Sequence, residues 1–258
     1  MVRTSPDAQS YPSDSEAESP APAEAKGGSA LASWSLLGLL IVVVVVWISL
    51  IRRFGEGDVY AVIGPYACAV SVLMWIVRPR ALASWLRPNP RSLLIGLAVG
   101  AVMTLLTYPV FQLAVRLFPE LDANVQALYV GARSTTLPKA LVWTTAAAIA
   151  EELLFRGVLP DVLAQVWSRS CAARRRSLSI SRAGAARRRE VGQRGALALS
   201  LAVYVLAQMG TGSWIVGLMA LVCGAIWTVQ RAWTGSLLSP LISHLIWTPT
   251  VILLYPVT

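Results

Sequence analysis

The apolar positions of this chain fall in seven long runs, divided by short charged or proline-rich stretches. The first, about Leu31 to Ile51, contains IVVVVVWISLI and offers no polar face. The others extend from about Val59 to Val77, Ser92 to Phe118, Lys139 to Leu159, Gly195 to Thr211, Trp214 to Gln230 and Ser236 to Tyr255. Each approaches the roughly 20 apolar residues that a helix needs to cross the hydrocarbon core of a bilayer. The expected fold class is therefore all-α, a polytopic membrane helical bundle of about seven transmembrane helices. Pro109 is expected to kink the third span and Pro160 to end the fourth. Gly96 and Gly100 in LLIGLAVGAV suit close packing between helices. Trp34, Trp75, Trp214, Trp233 and Tyr255 near the run ends suit interfacial belts.

The connecting stretches suggest a division of the chain. Residues 1–30 are rich in Ser, Pro, Ala and acids without apolar periodicity, as in a disordered N-terminal tail. They also put the first apolar run far from Met1 for a cleavable signal peptide. Residues 31–138 read as N-terminal transmembrane helices and loops. Within them, Arg78 to Arg91 carries four arginines and three prolines and reads as a loop or interfacial segment. The amphiphilic stretch from Pro119 to Pro138 is expected at the surface. Residues 139–258 form a transmembrane core with an Arg-rich cytoplasmic loop at 168–194, where Arg169 to Arg194 holds nine arginines and one acid.

Composition agrees with this reading. Of 258 residues 56% are hydrophobic and only 14% charged, against about 25% charged in an ordinary soluble domain. The net charge of +9 could point to nucleic acid, but its arginines sit in short loops between apolar runs. There they set orientation and meet anionic lipid, so no nucleic-acid partner is expected. With the N-terminus in the cytoplasm, the Arg78–Arg91 and Arg169–Arg194 stretches and Arg231 all fall inside. Arg52 and Arg53 are the discordant pair. Twenty arginines to two lysines suggest a GC-rich bacterial genome, hence a bacterial inner membrane. Cys68, Cys171 and Cys223 are too few and too scattered for a disulfide framework or a zinc site.

The fourth run interrupts itself in AAAIAEELLFRGVLP with two glutamates and an arginine. Each ionised side chain at the centre of a membrane helix costs roughly 2.5–3.5 kcal/mol, so three within six residues require a reason. Glu152 and Arg156 are four apart, share a helical face and can pair. Glu151 is five residues before Arg156 and is expected to point elsewhere, without a partner. A structural clamp explains Glu152 and Arg156 but leaves Glu151 without a role, whereas a carboxylate held away from water suits a general base. The second unusual position is His244 in SLLSPLISHLIWTPT, the sole histidine, with Thr248 one turn on. One histidine without cysteine partners falls short of the three protein ligands of catalytic zinc. No metal or other cofactor is expected.

These residues resemble the CPBP family of CAAX-type and bacteriocin-processing intramembrane proteases. EELLFRG, Glu151 to Gly157, matches its EExxxR signature. The order of the remaining features over residues 139–255 is also similar: an aromatic-xxx-His span, then Pro-x-x-x-His-x-x-x-Asn. Here the middle motif reads YVLAQ, with Tyr204 for the usual Phe and Gln208 for the His. The last motif becomes Pro240, His244 and Thr248. The resemblance implies Glu151 as the base that activates water, Glu152 as a supporting acid paired to Arg156, and His244 as an oxyanion donor. Gln208 and Thr248 fill family positions with altered chemistry: Gln208 donates a hydrogen bond but takes no proton. Gln208 also lies deeper in its run than His244 does.

Three functions compete at this level. The first is an intramembrane endopeptidase acting on a membrane-associated protein or peptide, such as a C-terminal sorting anchor or a bacteriocin-type substrate. The second is an impaired family member serving as a binding or immunity protein, or as the partner of an active protease. The third is a small proton-coupled transporter using its buried carboxylates.

Overall fold

The computed structural model describes residues 30–54, 59–132, 135–173 and 182–255. Among these residues every regular element is helical. In chain order they are α1 (Ala30–Phe54), α2 (Val59–Val77), α3 (Pro79–Trp85), α4 (Pro90–Leu117), α5 (Glu120–Ala132), α6 (Leu137–Glu151), α7 (Leu159–Ala173), α8 (Arg182–Gln208), α9 (Trp214–Thr234) and α10 (Leu238–Pro249). A π-turn over Glu152–Val158 joins α6 to α7, and another over Thr250–Leu254 extends α10. All seven apolar runs fall on helix. Among the described residues, α1, α4 and α9 are long and apolar enough to cross a membrane, and α2 with α3 make a fourth apolar unit bent by 103°. This is the architecture of an integral membrane protein.

With no polar face to guide it, α1 chooses its inner side by shape. Leu40, Val43, Val44, Trp47 and Ile51 are buried, while Ile41, Val42, Val45 and Val46 face outward. The buried set recurs at helical spacing, as a single stripe must. Trp47 meets the ring of Tyr66 edge-on at 5.8 Å, and the Tyr66 hydroxyl donates to the Val43 carbonyl at 2.7 Å. On the other side of α2, Gly64 lies directly against the Trp143 ring of α6.

α4 starts on Asn89, whose side chain accepts from the Arg91 amide at 2.9 Å, with Pro90 in the first turn. Both are standard start signals. α4 continues through Pro109. Its buried stripe is Ser92, Gly96, Gly100 and Met103, and it packs on α10. A Cβ on Gly96 would lie 2.8 Å from the Ser239 carbonyl oxygen, and one on Gly100 would lie 3.0 Å from the Ser243 Cα. The two backbones are thus in direct contact, just where α10 carries His244. The turn into α10 needs Gly235, at φ 67°. It is tied to α3: the Ser236 hydroxyl and the Leu237 amide both donate to the Trp85 carbonyl, at 3.0 and 2.9 Å.

Three stretches read from the sequence as connecting segments contain helix. The stretch from Arg78 to Arg91 holds a helix, α3, because RALASW contains good helix formers between its prolines. The amphiphilic stretch from Pro119 to Pro138 contains α5. The Arg-rich stretch 168–194 is helical at both ends, since Ala and Arg favour helix however basic the segment; α7 reaches Ala173 and α8 begins at Arg182. Arg194 bonds Glu190 at 2.6 Å one turn away. Residues 174–181 of that stretch, and the expected tail at 1–29, lie outside the described residues.

Substituting Gly96 by Val should lower the thermal midpoint in detergent, because overpacking of this kind costs about 1–3 kcal/mol. Gly38→Val is the control, since nothing lies within 4 Å of a Cβ there. Equal midpoints for both variants would disprove the close α4–α10 contact.

Candidate active site

The site is built on the π-turn, and Pro160 gives it a cause. Proline has no amide hydrogen, so the Arg156 carbonyl loses the partner that an α-helix would supply. The Leu159 amide bonds back to Leu154, which frees the Phe155 carbonyl as well. Both carbonyls are met from other helices. Ser200 of α8 donates its hydroxyl to Phe155 at 2.6 Å, and Arg231 Nε of α9 donates to Arg156 at 3.2 Å. The interruption therefore docks two further helices against the acidic pair. Residues 151–160 are all buried.

Glu152 lies at the centre, fully buried. Its Oε1 accepts from Arg156 Nη1 at 3.1 Å and lies 2.9 Å from His244 Nδ1. The pairing of Glu152 with Arg156 is the one that their spacing predicts. Burial without partners would be prohibitive for either charge. The His244 ring is stacked on Trp227 of α9, with centroids 3.7 Å apart and planes within 17°. The Arg156 guanidinium sits 4.1 Å above the Tyr204 ring and 5.4 Å from that of Trp227. Gly224 leaves it room, since a Cβ there would come within 2.9 Å of Arg156 Nη2.

Glu151 departs from expectation. Its carboxylate is engaged, and it faces the same cluster as Glu152. Tyr204 Oη donates to its Oε2 at 3.0 Å, Gln208 Nε2 donates to its Oε1 at 2.7 Å, and His244 Nε2 lies 3.9 Å from Oε2. The expectation of divergent directions assumed ordinary helical geometry. The wider π-turn and the packing of α8 bring both glutamates to one histidine. The depth mismatch of Gln208 also disappears, because α8 ends at Gln208 and delivers it directly to Glu151.

Glu151, Glu152, Arg156, Gln208 and His244 are thus brought together. Thr248 is one turn beyond His244 on α10, and its buried hydroxyl makes no hydrogen bond among the described residues. Sequence reasoning assigned no role to two neighbours. Tyr204 is one turn before Gln208 on α8, and the sequence marks it only as the aromatic residue of the middle motif. Trp227 carries no comparable signal and is found only in three dimensions. A polar contact fixes α10 beside His244: Gln230 Nε2 donates to Ser239 Oγ at 3.1 Å and Ser243 Oγ donates to Gln230 Oε1 at 2.7 Å. Two glutamates and a histidine meet here, but among the described residues no three His, Cys, Asp or Glu side chains are arranged to hold a metal ion.

Breaking a buried ion pair on one side typically costs about 3–5 kcal/mol, because the other charge is stranded. Arg156→Met should therefore lower stability by that order in mixed micelles. Adding Glu152→Gln should recover part of the loss. A stability within about 1 kcal/mol of wild type for Arg156→Met, well short of that penalty, would refute this account of the pair.

Comparison with known proteins adds an independent finding. Residues 133–249 match the family model described as type II CAAX prenyl endopeptidase Rce1-like. No curated protein and no solved structure matches the chain. The matched region holds the π-turn, both glutamates, Arg156, Tyr204, Gln208, Trp227, His244 and Thr248. Residues 133–249 of this chain are therefore a domain of the CPBP family of CAAX-type proteases.

Proposed function

We propose that the protein hydrolyses a peptide bond of a membrane-associated protein or peptide, with Glu151 as general base. The observation that carries this reading is the convergence of Glu151 and Glu152 on His244 in a buried, apolar setting. Glu151 takes a proton from water, and the resulting hydroxide adds to the scissile carbonyl. Two neutral donors occupy its oxygens, yet a carboxylate has about four lone-pair sites, so acceptor capacity remains. Collapse of the tetrahedral intermediate breaks the C–N bond and returns the proton to the leaving amine.

His244 stabilises the oxyanion. Glu152 accepts only, so Nδ1 carries a proton toward it, and donation through Nε2 then requires the doubly protonated ring. Thr248 supplies a hydroxyl in the same region. Preorganised donors of this kind are typically worth about 10²–10³ in rate.

The finer assignment is a C-terminal sorting anchor or bacteriocin-type substrate in a bacterial inner membrane, with the N-terminus cytoplasmic. The arginine-rich composition and distribution support it. Anionic lipid is the partner of the basic stretch. It is favoured by a groove of about 1650 Å³ lined in part by Arg169, Arg187, Arg194, Arg231, Trp167 and Trp233.

Comparing the C-termini of membrane proteins in cells carrying wild type or Glu151→Gln tests the reading. New C-termini should be present with wild type and lost with Glu151→Gln, at equal membrane abundance. Identical C-termini in both would end it. Gln208, which takes no proton, favours one rival: an inactive relative serving as a binding, immunity or protease-partner protein. Gln208→His with Thr248→Asn separates the two. Activity arising from none supports the rival, and little change supports an intact variant site.

A further inference from the structure

The reading of Glu151 as base leaves open what holds it. Its carboxylate can rotate, and a base whose lone pairs wander loses the benefit of being placed. Two side chains from one face of α8 remove that freedom. Tyr204 and Gln208 are one turn apart, and each takes one oxygen, Oε2 at 3.0 Å and Oε1 at 2.7 Å. The carboxylate plane is thereby fixed at two points, and Oε2 is turned toward His244 Nε2 at 3.9 Å.

Tyr204 does more than donate. Its ring lies under the Arg156 guanidinium at 4.1 Å and is tilted against Phe155 with centroids 5.2 Å apart. Arg156 in turn holds Glu152. One buried residue thus touches both halves of the site, through its hydroxyl to Glu151 and through its ring face to the partner of Glu152. Phenylalanine would keep the ring contacts and lose only the donor, so hydroxyl and ring can be tested apart.

We propose that Tyr204 is a positioning residue that, with Gln208, clamps Glu151 in the orientation and ionised form of a base. The clamp uses two neutral donors, so it adds no charge beside Arg156 and the two glutamates. The proposal rests on the reading of Glu151 as base, but its test needs no substrate.

The test is labelling of the full-length protein in detergent with dicyclohexylcarbodiimide, an apolar reagent that attacks a carboxyl in its protonated form. Labelling is read at Glu151 by tandem mass spectrometry. Tyr204→Phe removes a hydrogen bond to a charged group, so Glu151 should label about 10-fold faster. Gln208→Leu should act in the same direction. Tyr204→Phe with Gln208→Leu removes both donors, and Glu151 should then label faster than in either single variant. Glu152, which neither side chain bonds, is the internal control: loosened packing would speed labelling at both glutamates, whereas loss of the clamp speeds it at Glu151 alone. Wild-type labelling of Glu151 in Tyr204→Phe would overturn the proposal, as would an equal acceleration at Glu152. If Glu151→Gln abolishes cleavage while Tyr204→Phe labels as wild type, the endopeptidase reading stands and only the clamp falls.

Discussion

A guanidinium exposed by only 1% inside an apolar bundle must be met by opposite charge and by aromatic faces, and Arg156 recruits both. Its charge is answered by Glu152, one turn back, and its plane lies over the rings of Tyr204 and Trp227. Cation–ring contacts strengthen when desolvated, which suits a group whose Nε and Nη2 make no hydrogen bond among the described residues. The same constraint reaches the backbone: Gly224 leaves space for the guanidinium, and Arg231 caps the Arg156 carbonyl. α8 and α9 are thus both committed to the α6–α7 turn by what surrounds a single side chain. α10 joins through His244, whose ring rests on Trp227 and whose Nδ1 faces Glu152.

The broad plan was legible in the sequence because lipid imposes a length and a polarity that few other environments demand. The apolar runs, the charged breaks and the pairing of Glu152 with Arg156 follow from spacing alone. Gly96 and Gly100 could be marked as packing residues, though not assigned to α10, because the partner of a small-residue stripe lies elsewhere in the chain. The basic stretches show the limit of reading charge as loop. Arginine and alanine carry helix past the end of an apolar run, so α7 and α8 extend beyond the boundaries that hydropathy suggests.

The site was legible in its parts and not in its assembly. Counting residues on a regular helix sent Glu151 away from Glu152. The π-turn alters that count, and its cause, a proline four residues after Arg156, reads in isolation as a helix end. The chain instead continues into α7, because Ser200 and Arg231 satisfy the carbonyls that proline exposes. Trp227 shows the same limit in another form, since its stacking on His244 depends on the α9–α10 turn and on no repeat along the chain.

The polar tie at the start of α7 also acts as a depth gauge. Arg78 meets Asp161 at 3.3 Å and Gln165 at 3.0 Å, with the side chains of Arg78 and Asp161 partly open. Arg169 reaches Ser33 at 2.8 Å on the same side. This belt gathers polar side chains of α1, α7 and the α2–α3 junction. Glu151 precedes Asp161 by ten residues, with the π-turn over Glu152–Val158 between them, so at no more than about 1.5 Å per residue it lies within about 15 Å of the belt along the chain axis. A segment reaching it from this side in extended form, at about 3.3 Å per residue, threads at most four or five residues past the belt.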